Sequence, residues 1–148
     1  MVGNVLLGLG TMVACLAIQA FLVVVSIQVY ANHRKLAASP TLVGTFVLIC
    51  AVMLVLVVGN FLQISLWASL FMYLGEFADF NTAAYHSAVN FATLGYGDIV
   101  MSKQHRILGP MQAVNGVLMI GVSTAVVMSA LQNALKMTLA ARRREEHR

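Results

Sequence analysis

Three stretches without a single charged side chain, residues 1–31, 36–75 and 107–135, leave this chain few ways to fold in water. Each is long enough to cross a bilayer as a helix, which takes about 20 apolar residues. The chain is 60% hydrophobic and only 9% charged, far from the composition of a soluble domain. Its formal charge of +4 does not describe a surface for nucleic acid. Arg34 and Lys35 lie in the first connection, and Lys136, Arg142, Arg143, Arg144 and Arg148 follow the last span, which predicts that both segments are cytoplasmic. Three crossings then place the N-terminus outside, in the inner (plasma) membrane of a cell. The start of the chain lacks a basic segment ahead of its apolar run, so a retained span is expected rather than a cleaved leader.

The first span, residues 1–31, carries Gly10 and Ala14 at the spacing that lets two helices approach closely. Gln19 and Gln28 are its residues expected to face protein. A short cytoplasmic loop, 32–40, follows. The second apolar stretch, 41–75, is too long for one upright crossing and too short for two. It predicts one tilted helix, bending at Gly59 and Asn60, with Trp67 and Tyr73 near the outer interface. Cys15 and Cys50 fall inside spans and read as small buried apolar groups.

Residues 79–100 are the informative part. Asp79 or Asn81 can cap a short helix over 82–91, which a glycine-containing segment then stops. A helix of that length, about 15 Å, covers half the hydrocarbon and must leave by the face it entered. Non-helical backbone at membrane depth is tolerated only where it is buried in protein or lines water. A pore is implied. The last span, 107–139, has Gly109 and Pro110 in its first turn, Gly116 and Gly121 midway, and enough Asn, Gln, Ser and Thr to line an aqueous path. A basic cytoplasmic tail, 140–148, closes the chain.

The run Thr93, Leu94, Gly95, Tyr96, Gly97, Asp98 resembles the filter signature of the potassium channel pore-domain superfamily, with leucine where valine is usual. Its context, an outer helix 41–75, a pore helix 82–91 and an inner helix 107–139, is similar to the small bacterial pore-only members, here with one extra N-terminal span. The resemblance implies an all-α membrane protein: three transmembrane helices plus a re-entrant pore helix and filter loop between spans 2 and 3, assembled as a homotetramer in contact with membrane lipids. Stacked oxygens of Thr93, Leu94, Gly95 and Tyr96 would hold K+ in single file, and Gly95 and Gly97 would take the positive φ that turns carbonyls toward the axis. The resemblance further implies a bond from Tyr85 to Asp98 at the mouth and bracing of Tyr96 by His86. Val89 stands where some members carry a buried acid, and Ala92 replaces a usual threonine.

No span carries the regular arginines of a voltage sensor. Gly116 and Gly121 are candidate inner-helix hinges, and Met119, Ser123 and Val126 candidate cavity-lining positions. No catalytic residue, cofactor, metal other than permeant K+, nucleic acid or soluble partner is expected. A weakly selective cation channel and a non-conducting membrane assembly or regulatory subunit stay open as alternatives. His86 and His105 read as structural residues or as outer pH sensors.

Overall fold

The computed structural model describes the fold over residues 2–36 and 42–146, and the side chains over 2–32 and 43–136. Four helices follow in order: α1 (Val2–Leu36), α2 (Leu42–Tyr73), α3 (Phe80–Phe91) and α4 (Leu108–Glu146). The described residues contain no strand. Three helices are long and apolar enough to cross a membrane, over Val2–Asn32, Val43–Tyr73 and Leu108–Lys136. The protein is therefore an all-α, multi-pass membrane protein. The tail beyond residue 136 and the histidines His33 and His147 lie outside the residues whose side chains are described.

Helix α1 packs against α2 and α4, while α3 is held between α2 and α4. The Asn4 side chain donates to the Gln104 carbonyl at 2.6 Å, which brings the start of α1 beside the segment preceding α4. The start of α1, the end of α2 and the start of α4 thus share one side of the molecule. Near that side an apolar core of Cys15, Trp67, Phe71 and Leu108 joins all three long helices.

Close contact between spans uses different glycines from those the spacing suggested. Gly10 has no neighbour within 4 Å of where a Cβ would stand, and Ala14 is exposed. Gly8 instead receives the Met111 side chain of α4, and Gly59 receives Leu22 of α1. Helix α2 runs unbroken through Gly59 and Asn60, so the absence of a side chain at 59 serves packing. Trp67 is fully buried in the core, whereas Tyr73 is 84% exposed at the end of α2.

Polar side chains cross-link the spans at membrane depth, where no water competes. Gln63 Nε2 donates to Gln19 Oε1 at 2.8 Å, and Gln19 Nε2 donates to Ser123 Oγ at 3.0 Å. One continuous bond path therefore ties α2 to α1 and α1 to α4. Gln19 faces protein as expected, but Gln28 is exposed.

Candidate functional site

Helix α3 begins where chemistry allows it. Asp79 is extended at φ −129° and ψ 151°, and its Oδ1 accepts from the Thr82 N–H at 2.9 Å, satisfying one of the free donors of the first turn. That bond from Thr82 holds the Asp79 carboxyl below its usual range. The helix has 12 residues, about 18 Å, too few to cross the hydrocarbon.

Two anchors fix its position. The Ser87 hydroxyl donates to the Ile64 carbonyl of α2 at 2.7 Å, and Gln112 Nε2 of α4 donates to the Ser87 carbonyl at 3.1 Å and to its hydroxyl. Ser87 and Gln112 are both fully buried. Close backbone approach supplies the second anchor, because a Cβ on Gly116 would stand 2.0 Å from the Phe91 carbonyl oxygen. The last turn of α3 therefore rests directly on α4.

Beyond that turn the chain leaves the helix by short bonds, Thr93 N–H to the Asn90 carbonyl and Leu94 N–H to the Val89 carbonyl, both 2.9 Å. The backbone then alternates. Thr93, Gly95 and Gly97 have φ of 58°, 57° and 74°, while Leu94 and Tyr96 do not have positive φ. A positive φ therefore recurs at every second residue of the limb. Glycine reaches this conformation freely, but at Thr93 a β-branched residue stores strain, of order 1–3 kcal/mol. Sequence reasoning expected the two glycines and missed the threonine, whose φ no residue preference announces. All residues from 93 to 98 are exposed, Leu94 by 54% and Tyr96 by 65%. Between this limb, α3 and α4 lies a cavity of about 400 Å³, lined by His86, Val89 and Asn90 on one side and Pro110 and Ala113 on the other.

At the far end of the limb the Tyr85 hydroxyl donates to Asp98 Oδ2 at 2.7 Å. That bond keeps the Asp98 carboxyl below its ordinary range and raises the Tyr85 phenol above its own. His86 does not reach Tyr96 within the chain. Its Nδ1 lies 3.0 Å from the Ile99 carbonyl and its Nε2 2.9 Å from the Asn90 amide nitrogen. Phe71 and Phe77 flank the ring, at centroid distances of 5.6 and 5.0 Å.

A cluster that the sequence did not announce secures the segment after the limb. The Glu76 carboxylate accepts from the Ser102 N–H at 2.7 Å, from the Ser102 hydroxyl at 2.6 Å and from His105 Nδ1. Burial raises the Glu76 carboxyl, but the Ser102 bonds and the His105 ring outweigh it, leaving it below its usual value. Ser102 and His105 lie 26 and 29 positions from Glu76, and no local spacing predicts their meeting.

The expected cavity-lining positions lie elsewhere. Met119 is fully buried, Ser123 accepts from Gln19, and Val126 lines a space of about 170 Å³ with Val23, Ser26 and Val52. All three belong to the face of α4 that packs on the chain's own α1 and α2. The reason is the first span, which covers that face. The uncovered face carries Val114, Val117, Leu118, Gly121 and Val122. Of the two hinge candidates, Gly116 is a packing contact with α3, whereas Gly121 has no neighbour within 4 Å of a Cβ position.

Residues 61–133 match the family model described as Ion channel. No curated protein and no solved structure matches the chain. The matched region takes in the last part of α2 from residue 61, all of α3, the 93–98 limb and most of α4, which are the elements that build this site. The chain is a multi-pass membrane protein whose residues 61–133 match the model of an ion channel family.

Proposed function

We propose that this protein is a potassium-selective channel in which four copies bring their 93–98 limbs around a common axis. The observation that carries the reading is the alternation of positive φ at Thr93, Gly95 and Gly97 directly after a half-length helix. A potassium ion sheds its water only if oxygens replace it at every step, and a ring of backbone carbonyls does so without a mobile charge. One limb offers one oxygen per level. Several copies are needed to close each cage, and an exposed limb beside an open 400 Å³ cavity is what a chain awaiting neighbours would present.

The electrostatics run in the same direction. Helix α3 ends at Phe91, two residues before the limb, and a helix C-terminus carries about half a negative elementary charge. Several such ends aimed at a common axis would favour a cation below the filter. Asp98, kept ionised by Tyr85, would concentrate cations at the opposite mouth. The basic residues of the loop and tail favour a plasma-membrane orientation with the N-terminus and the filter mouth outside.

Ion flux into liposomes holding the purified protein tests this, with potassium against sodium gradients and Gly95→Asp as the control. Potassium-selective flux that Gly95→Asp abolishes is the expected result. Equal potassium and sodium flux would retain a pore but refute selectivity, and absence of flux from an intact oligomer would favour a non-conducting assembly subunit.

A further inference from the structure

Two hydrogen bonds point to one protonation state of His86. The Ile99 carbonyl can only accept, so Nδ1 carries a proton and donates across 3.0 Å. With the Asn90 amide turned as it is here, its nitrogen donates, and Nε2, 2.9 Å away, accepts as a bare nitrogen. The ring is therefore neutral, in its Nδ1–H tautomer. A cationic ring would set an N–H against the Asn90 NH₂ group and would require that amide to turn over.

The surroundings act in the same sense. His86 is 7% exposed, packed between Phe71 and Phe77. Burial pushes its titration below the ordinary 6.5, against opposing effects of the Ile99 carbonyl, Asp98 and Glu76. The charged groups nearby come from three segments. Glu76, after α2, is engaged by Ser102 and His105; Asp98, on the limb, is engaged by Tyr85; Arg106, before α4, lines the cavity that His86 also lines. Helix α2 contributes Phe71 there, which has no charge.

Ile99 directly follows the 93–98 limb. At its inner end the limb is tied to α3 through the Leu94 N–H, and at its outer end through Asp98 and Ile99. The Tyr85–Asp98 bond is exposed to water, whereas the His86–Ile99 bond is partly buried and meets less competition from solvent. We propose that Asn90 and a neutral His86 form a two-bond relay that sets the outer end of the filter backbone, making His86 a positioning residue for ion selectivity. This rests on reading 93–98 as the filter. A carbonyl cage discriminates between ions by geometry, so releasing one end of the limb degrades selectivity before it blocks conduction.

The test pairs a measurement independent of conduction with one that depends on it. Nitrogen-15 NMR of histidine-labelled protein, with the His86 signals assigned by their loss in His86→Asn, should show the Nδ1–H neutral tautomer at neutral pH and titration below that of an ordinary histidine. Asn90→Asp replaces the donor by an acceptor and should move the titration upward. In liposomes, His86→Leu should lower the potassium-over-sodium flux ratio about tenfold, the size expected from roughly one hydrogen bond. His86→Asn, whose amide keeps a donor near the Nδ1 position, should retain most of the ratio. A cationic ring or the Nε2–H tautomer at neutral pH would overturn the proposal, as would an unmoved titration in Asn90→Asp or an unchanged flux ratio in His86→Leu. If neither wild type nor variants conduct, the filter reading fails separately. The relay is then decided by the Ile99 carbonyl carbon-13 shift, and no change between wild type and His86→Leu overturns it.

Discussion

Replacing Gly116 by alanine sets two effects of known size against each other. In a helix interior, alanine is favoured over glycine by about 1 kcal/mol, so an open site would gain stability. Gly116 is not open. The added Cβ would lie 2.0 Å from the Phe91 oxygen, 2.8 Å from its carbonyl carbon and 2.9 Å from its Cα, all of them backbone atoms that cannot rotate away. Relief requires α3 and α4 to separate by about 1 Å, and overpacking of this kind costs about 1–3 kcal/mol. Separation also shifts the turn that leads into Thr93, so ion selectivity should fall together with stability. Gly121→Ala is the internal control, since within the chain no other element comes within 4 Å of its Cβ position to oppose the propensity gain. Thermal unfolding of the detergent-solubilised oligomer, read beside the potassium-over-sodium flux ratio, separates the two. The expected result is a lower Tm and lost selectivity for Gly116→Ala, with an equal or higher Tm for Gly121→Ala. If Gly116→Ala unfolds at the wild-type temperature and conducts with wild-type selectivity, the direct seating of α3 on α4 is wrong. If Gly121→Ala conducts and is regulated as wild type, bending at Gly121 plays no part in opening.

Gln19→Leu should leave Gln63 and Ser123 without their shared partner and lower stability by about 0.6 kcal/mol for each of the two bonds, the average for such bonds between membrane helices; an unchanged unfolding midpoint would argue against the three-helix bond path. Glu76 titrates below its ordinary 4.5, so the stability it contributes is present above that value and is lost as pH falls through the lowered folded-state value. The Tm of wild type should therefore converge on that of Glu76→Gln in that acid window, and parallel curves would count against the cluster. Tyr85→Phe removes the bond that holds the Asp98 carboxyl down, so loss of flux on acidification should begin at a higher pH than in wild type. Coincident flux profiles would mean that Asp98 does not serve the mouth.

What water and lipid enforce one residue at a time is legible in the order of amino acids alone. Three charge-free stretches became the three long helices, because a backbone in hydrocarbon must bond to itself. The carboxylate at 79 and the break after Phe91 set a half-length helix, and the glycines at 95 and 97 permit the conformation found there. The Tyr85–Asp98 bond was expected only from resemblance, and the geometry contains it.

Tertiary structure decided everything that depends on which face meets which neighbour. Polarity made Ser123 look like a cavity residue, yet its hydroxyl is taken by Gln19 from a helix about a hundred residues earlier. His86 could be placed beside the filter from its position in the chain, but only the aromatic walls of Phe71 and Phe77 and the amide of Asn90 select Ile99 as its partner. Glu76, Ser102 and His105 carry no shared spacing at all. A span's composition reports that it prefers lipid to water, but lipid tails and protein interiors are almost equally apolar, so hydropathy carries little information on which side of a helix is covered. That choice is made by shape, through Gly8, Gly59 and Gly116, and by the few polar groups that must find one another where no water can satisfy them.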